Sequence, residues 1–253
     1  MPLLSLFRKV SFLVSFLPCL ACLDTATLCF QKTIQKIMKV ALIGASGFVG
    51  KAILIELINR GHQVTAITRN PENVAQTENV NAITANALNA DEVANAVKDC
   101  DAIISAYNAG WTNPNLYNEF LQGSKAIQEG VKKSGVKRLI VVGGGGSLYV
   151  AEGLQLVDTP EFPQEFKAGA SSARDYLNIL KEEKELEWTF LSPAIEMHHG
   201  TSGERKGTYR TGLDNPVFHA NQRSVISVED YAVAIVDELE NPKHIRQRFT
   251  VAY

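Results

Sequence analysis

The sequence predicts an α/β protein built on a doubly wound, mostly parallel sheet of about seven strands with a small substrate-binding region. Three observations carry this. From Met38 onward, short β-rich apolar runs alternate with longer amphipathic stretches, the order expected of βαβ units. A Gly-x-x-Gly-x-x-Gly pattern, GASGFVG at 44–50, falls between the first strand-like run and the first helix-like one. The chain has 253 residues, 45% hydrophobic and 21% charged, which suffices for one large core and excludes disorder or a collagen-like repeat.

In chain order, KVALIG at 39–44 is the first strand. The helix opening near Phe48 places Val49, Ala52, Ile53, Leu57 and Ile58 at helical spacing and stops at Gly61, a residue suited to a C-terminal cap. The strands QVTAIT at 63–68 and NAITAN at 81–86 follow, then a helix over 91–98 and the strand DAIISAY at 101–107. A helix over 116–133 leads to RLIVVGG at 138–144, and a helix over 171–185 leads to WTFLSP at 188–193. The last helix spans 228–240, with Ser227 and Asp230 close to a capping box, and RFTVAY at 248–253 closes the chain. The run GGGG at 143–146 follows an apolar strand directly. It therefore reads as a strand-to-loop turn where backbone approaches a ligand, not as a linker.

Residues 1–37 differ from the rest. Arg8 and Lys9 precede an apolar run over 10–23 that is short for a bilayer span and has the grammar of a secretory signal, without a clean cleavage site. The expectation is a leader or an over-extended reading frame ahead of Met38, outside the fold. Cys19 and Cys22 form a CxxC without further ligands at metal spacing. The remaining 38–253 is expected to be one domain that neither enters a membrane nor binds nucleic acid. It is expected in the cytoplasm, with export or anchoring as the alternative if 1–37 is a signal.

Composition narrows the chemistry. The net charge is −2, and no long run of like charge offers a phosphate-neutralising surface. Four cysteines are too few for a disulfide scaffold. His198 and His199 are adjacent and so project in different directions, while His62, His219 and His244 have no ligand spacing to them, so no metal site is expected. There is no Gly-x-Ser-x-Gly elbow, no His-Glu-x-x-His, and no Lys-Ser/Thr ending to the glycine loop, which removes serine hydrolase, zinc protease and ATPase readings.

The glycine loop is the strongest chemical signal. Gly44 permits a tight turn, Gly47 lets backbone approach a pyrophosphate, and Gly50 lets the helix pack closely on the sheet, whose N–H groups then face the anion. At the end of the second strand, ITRNP places Arg69 where a ribose 2′-hydroxyl would need an acid. A guanidinium there suits a 2′-phosphate, so NADP(H) is favoured over NAD(H).

With these residues in place, the chain resembles the atypical short-chain dehydrogenase/reductase superfamily, in particular the NmrA-like NAD(P)-binding group that includes candidate NADH-flavin reductases. The resemblance spans 38–253 and rests on KVALIGASGFVG, the Arg-containing end of the second strand, DAIISAYNAG at 101–110, GVKRLIVVGGGGSL at 135–148, LVDTPEFP at 156–163, WTFLSPA at 188–194 and the C-terminal segment from ISVEDY onward. It implies a Rossmann-like fold with the substrate region at about 145–170 and 195–225. It also implies that Gly44, Ser46, Gly47, Phe48 and Val49 lie under the pyrophosphate and Arg69 at the 2′-phosphate. Asn86, Ala87 and Leu88 would edge the adenine; Ser105, Ala106 and Tyr107 would line the ribose and nicotinamide side. Gly143, Gly144 and Ser147 would face the nicotinamide, and Pro193 and Ala194 would close over it.

The chain departs from the superfamily in lacking the Tyr-x-x-x-Lys pair. Tyr149 is followed four residues on by Gly153, and Tyr176 by Leu180. Carbonyl reduction wants a placed proton donor, whereas an electron-poor ring can take hydride with its proton from solvent. The expected function is an NADPH-dependent oxidoreductase acting on a small flavin or quinone-like acceptor, with Ser147, Tyr107 and Tyr149 as candidate donors and Trp111 as a candidate stacking surface. A non-catalytic NADP(H) sensor is the competing class. A nucleotide-sugar epimerase or dehydratase is a third.

Overall fold

The computed structural model describes residues 36–253; the apolar run at 10–23 and the Cys19/Cys22 pair lie outside the described residues. The elements are β1 Lys39–Ile43, α1 Phe48–Asn59, β2 Gln63–Ile67, β3 Val80–Ile83, α2 Ala90–Val97, β4 Ala102–Ser105, α3 Leu116–Ser134 and β5 Arg138–Val142. They continue with the short strands β6 Tyr149–Ala151 and β7 Leu154–Gln155, then α4 Gln164–Lys181, β8 Glu187–Ser192, β9 Arg210–Gly212, α5 Val228–Glu240 and β10 Gln247–Ala252.

The main sheet has the order β3-β2-β1-β4-β5-β8-β10-β9. Every pair is parallel except β9 on β10. All seven strands expected from the sequence are present, and the eighth, β9, corrects the count. Its three residues, Arg-Thr-Gly, lie at the sheet edge without a buried apolar face, so no hydrophobic pattern announces it. From β1 the chain runs outward through β2 and β3, then crosses to the other side of β1 to make β4. That reversal opens a crevice above the carboxyl ends of β1 and β4, where such sheets bind ligands.

Both faces of the sheet are covered, which is why its strands read as continuous apolar runs. Along β1, Val40 and Leu42 pack into one core with Ile53, Leu57 and Ile235 from α1 and α5. Ala41 and Ile43 pack into the other with Ile103, Ile127 and Leu177, beneath α2, α3 and α4.

Two boundaries differ from expectation for local reasons. α4 begins at Gln164, not at 171, because Pro163 occupies its N-cap and the first turns are exposed, so apolar spacing does not show until Gly169. It ends at Lys181, not at 185, because the Glu183 carboxylate accepts the Glu185 N–H at 2.6 Å and turns the chain toward β8. β3 ends at Ile83, and Asn86 then accepts the Leu88 N–H at 3.0 Å in a turn that competes with strand.

At the amino edge of the sheet, a buried ion pair ties α5 to the strands. Arg138 donates to Thr189 Oγ1 at 2.7 Å, to the Glu187 carbonyl at 2.9 Å and to Glu238 Oε1 at 3.1 Å. Glu238 also accepts the His244 N–H at 2.9 Å and lies 2.8 Å from His244 Nδ1.

Candidate functional site

The site is built by what happens where β1 stops. Gly44 adopts φ +83°, and its N–H donates to the Ile67 carbonyl at 2.8 Å, turning the chain off the sheet. A Cβ at Gly44 would lie 2.5 Å from the Ala106 carbonyl oxygen, and one at Gly50 only 2.0 Å from the Gly44 oxygen, so both positions exclude side chains. At Gly47 the sole neighbour within range would be the Gly44 oxygen at 3.4 Å, which leaves that face of the loop open.

Gly47 is also the N-cap of α1. Among the five α-helices of the described residues, α1 alone has neither a capping side chain nor an acidic residue in its first turn. By contrast, Asn89 caps α2 ahead of Asp91 and Glu92, and Ser227 caps α5 ahead of Glu229 and Asp230. The first N–H groups of α1 and the positive end of its dipole therefore face the crevice uncompensated. Ser46 Oγ and Thr68 Oγ1, 2.7 Å apart, pin the loop to the end of β2. The next residue, Arg69, is exposed, and among the described residues no carboxylate pairs with it.

The other expected residues fall along the same carboxyl edge because the strands are parallel. Asn86, Ala87 and Leu88 follow β3, with the Asn86 N–H held by Glu92 Oε2 at 2.8 Å. Ser105 is buried at the end of β4, in register with Ile43 on one side and Val141 on the other. The Ala106 N–H donates to the Ile43 carbonyl at 2.9 Å, which brings this strand end against the glycine loop. Gly143 and Gly144 follow β5 as the chain enters a turn; a Cβ at Gly143 would lie 2.2 Å from the Phe190 ring. Pro193 is half-buried beyond β8, while Ala194 is core.

The structure commits two of the three candidate proton donors, Ser147 and Tyr107, to internal partners. Ser147 does not face the crevice. It is fully buried, its hydroxyl donates to the Gly144 carbonyl at 3.1 Å, and it accepts from Arg248 Nη1 at 3.3 Å. The Tyr107 hydroxyl donates to the Glu119 carbonyl at 3.2 Å, and its ring covers Gly123, where a Cβ would lie 2.5 Å away. Burial, aided by the Glu119 charge, pushes that phenol above its ordinary value, so it stays protonated. Tyr149 is half-buried at the start of β6, where its N–H and carbonyl bond to Asp214 and Asn215. These bonds join the two segments expected to form the substrate region. Arg248 reinforces the join by reaching both Asp214 and the Ser147 carbonyl.

Two features escaped sequence reading. His199 packs on Phe48 with ring centroids 4.2 Å apart, covering the outer side of the α1 N-terminus and one wall of a cleft of about 390 Å³. Phe166 stands on the first turns of α4 beside Trp111. It lies ahead of residue 171, where the helix is expected from sequence to begin. A larger cleft of about 570 Å³ lies at the opposite rim, among the starts of β1, β2 and β3, where no helix N-terminus points. Among the described residues no helix is long and apolar enough to cross a membrane, and no group of three or more His, Cys, Asp or Glu is placed to hold a metal ion.

Comparison with known proteins agrees with this architecture. A family described as NAD(P)H-binding matches residues 44–242. The uncharacterised Bacillus subtilis protein YwnB is 40% identical over 216 residues, 85% of this chain and 98% of that protein. Among solved structures, a candidate epimerase from Bacteroides thetaiotaomicron is 45% identical with a TM-score of 0.79, covering 86% of this chain and 98% of that one. A candidate NADH-flavin reductase from Streptococcus pneumoniae is 36% identical with a TM-score of 0.72, covering 85% and 99%.

Proposed function

The chain belongs to the NAD(P)H-binding family, and on that premise we propose that it is an NADPH-dependent oxidoreductase whose acceptor is a flavin or quinone-like ring. The observation that carries this reading is an uncapped helix start behind a glycine turn, with no Tyr-x-x-x-Lys pair beside it. Gly47 and the uncapped start of α1 would hold the diphosphate, and Arg69 would meet the 2′-phosphate. Asn86 to Leu88 would edge the adenine, and the β4 and β5 ends at Ala106, Tyr107, Gly143 and Gly144 would floor the nicotinamide.

When bound, the nicotinamide supplies a hydride, and the accompanying proton comes from solvent. The residues around it bind and orient. Tyr176, where a helix tyrosine would be sought, is buried in α4, and its phenol is pushed far up by burial. The hydroxyls of Ser147 and Tyr107 are committed internally. With those two hydroxyls committed, a reaction that needs no side-chain proton donor fits the site better than epimerisation or dehydration does. The same committed hydroxyls also favour the sensor reading as the second possibility.

Mixing the protein with NADPH and FMN or a naphthoquinone separates the two. Loss of reduced-nicotinamide absorbance at a rate proportional to protein is expected; binding without turnover across a broad acceptor panel would favour the sensor. Arg69→Ala is expected to weaken NADPH by about 30-fold, roughly 2 kcal/mol, and NADH by less than about threefold. Equal losses for the two nucleotides, measured by calorimetric titration, would remove Arg69 from the 2′-phosphate.

A further inference from the structure

Beside the carboxyl ends of β4 and β5, two large aromatic side chains stand exposed on facing elements. Trp111 is 58% exposed in the loop after β4, and Phe166 is 47% exposed on the first turns of α4. Their ring centroids are 5.7 Å apart at 86°, an edge-to-face pair. Soluble proteins rarely leave two such rings uncovered side by side without a use for them.

The pair is held in place. Asn113 anchors the loop by donating to Glu119 Oε2 at 2.7 Å and to the Ala109 carbonyl at 3.4 Å. The indole lies over buried Gly169 of α4, where a Cβ would come within 2.7 Å of its Cζ3. The absence of a side chain at Gly169 is what seats Trp111. One helical turn beyond Phe166, Ala170 packs on the glycine turn after β5, where a Cβ at Gly146 would lie 2.8 Å from the Ala170 Cβ. Trp111 itself follows Tyr107 by four residues, at most about 14 Å of chain. Both rings therefore stand on the rim of the strand ends assigned above to the nicotinamide.

We propose that Trp111 and Phe166 form the docking surface for the acceptor, selecting a flat conjugated ring by stacking. This deepens the proposed function and rests on it. A planar ring covers an exposed indole face over its whole area with little loss of conformational freedom, whereas a small aliphatic carbonyl compound would gain much less from it.

The test uses the full chain and two readouts. The protein has two tryptophans, and Trp188 is buried, so acrylamide quenching reports Trp111. In the presence of NADP⁺, added FMN is expected to shield Trp111 from acrylamide several-fold, and Trp111→Phe removes that signal while leaving the Trp188 emission. In turnover, Trp111→Ala and Phe166→Ala are each expected to raise the acceptor KM about tenfold with the NADPH KM within about twofold, and Trp111→Phe to recover most of the loss. Gly169→Ala, which displaces the indole without deleting it, is expected to fall between. Unshielded Trp111, or an unchanged acceptor KM in both alanine variants, would overturn the proposal with NADPH binding intact. Shielding that depends on protein concentration alone would also overturn it, by assigning the rim to a second copy of the chain. Failure of NADP⁺ to bind at all would instead strike the proposed function.

Discussion

Gly47→Asp is expected to lower NADPH affinity about 100-fold, about 2.7 kcal/mol, while leaving the urea denaturation midpoint unchanged or slightly raised. Gly47 sits at φ −76° and ψ 172°, an extended conformation that any residue adopts, and its missing Cβ would meet only the Gly44 oxygen at 3.4 Å. Aspartate is a preferred N-cap, a few tenths of a kcal/mol better than glycine. Its carboxylate would take up the same free N–H groups that a diphosphate requires and add a like charge beside it. The effects on folding and binding should thus part company. Gly47→Ser, which caps without charge, should lose about tenfold. Calorimetric titration alongside urea denaturation reads both quantities, and an affinity within about threefold of the parent for Gly47→Asp would take the diphosphate away from α1.

The largest stability effect is expected at the other rim. Glu238→Ala should cost about 3–5 kcal/mol, because it strands the Arg138 guanidinium in the interior without its counter-charge. Side-chain exposure of the pair is 8% and 4%, so water cannot replace the lost carboxylate. Burial already holds the Arg138 pKa below its ordinary value, with Glu238 opposing that shift, and Arg138 Nε has no partner. The His244 and Lys243 N–H groups lose their acceptor as well. Replacing both charges, as Arg138→Met with Glu238→Leu, should regain most of the loss, since the desolvation cost disappears with the charges. Urea denaturation measures each variant; a loss below about 1 kcal/mol for the single change would mean that the pair is effectively solvated. NADPH affinity should be unaffected, because Arg138 begins β5 and the glycine loop lies beyond the opposite end of the strands.

Much of this molecule was legible because the relevant signals are local. The apolar runs of β1, β2, β4, β5, β8 and β10 are continuous because both faces of the sheet are covered, and a run of that kind is visible without knowing its neighbours. GASGFVG was readable because each glycine answers a backbone demand within a few residues, as the close approaches at Gly44 and Gly50 bear out. β9 was missed for the converse reason: three edge residues owe their pairing to β10, some forty residues away in the chain. The start of α4 was missed because its first turns are exposed and only Pro163 marks them, and Phe166 was lost with it.

Side-chain commitments were beyond sequence reading altogether. Ser147 follows a strand that ends at the crevice, and nothing in GGGGSL says that its hydroxyl turns inward to Gly144 and Arg248. Arg248 reaches it from the last strand of the chain, and Tyr107 is claimed by a carbonyl on α3. Such choices depend on which distant groups are left unsatisfied once the core closes. The amino-acid order alone determined the alternating α/β architecture, the open start of α1 and the placement of a cation after β2, because periodicity, glycine and charge act over a turn or a strand. Tertiary structure decided which hydroxyls remain available at the crevice and which rings stand on its rim, because both follow from contacts between segments that only folding brings together.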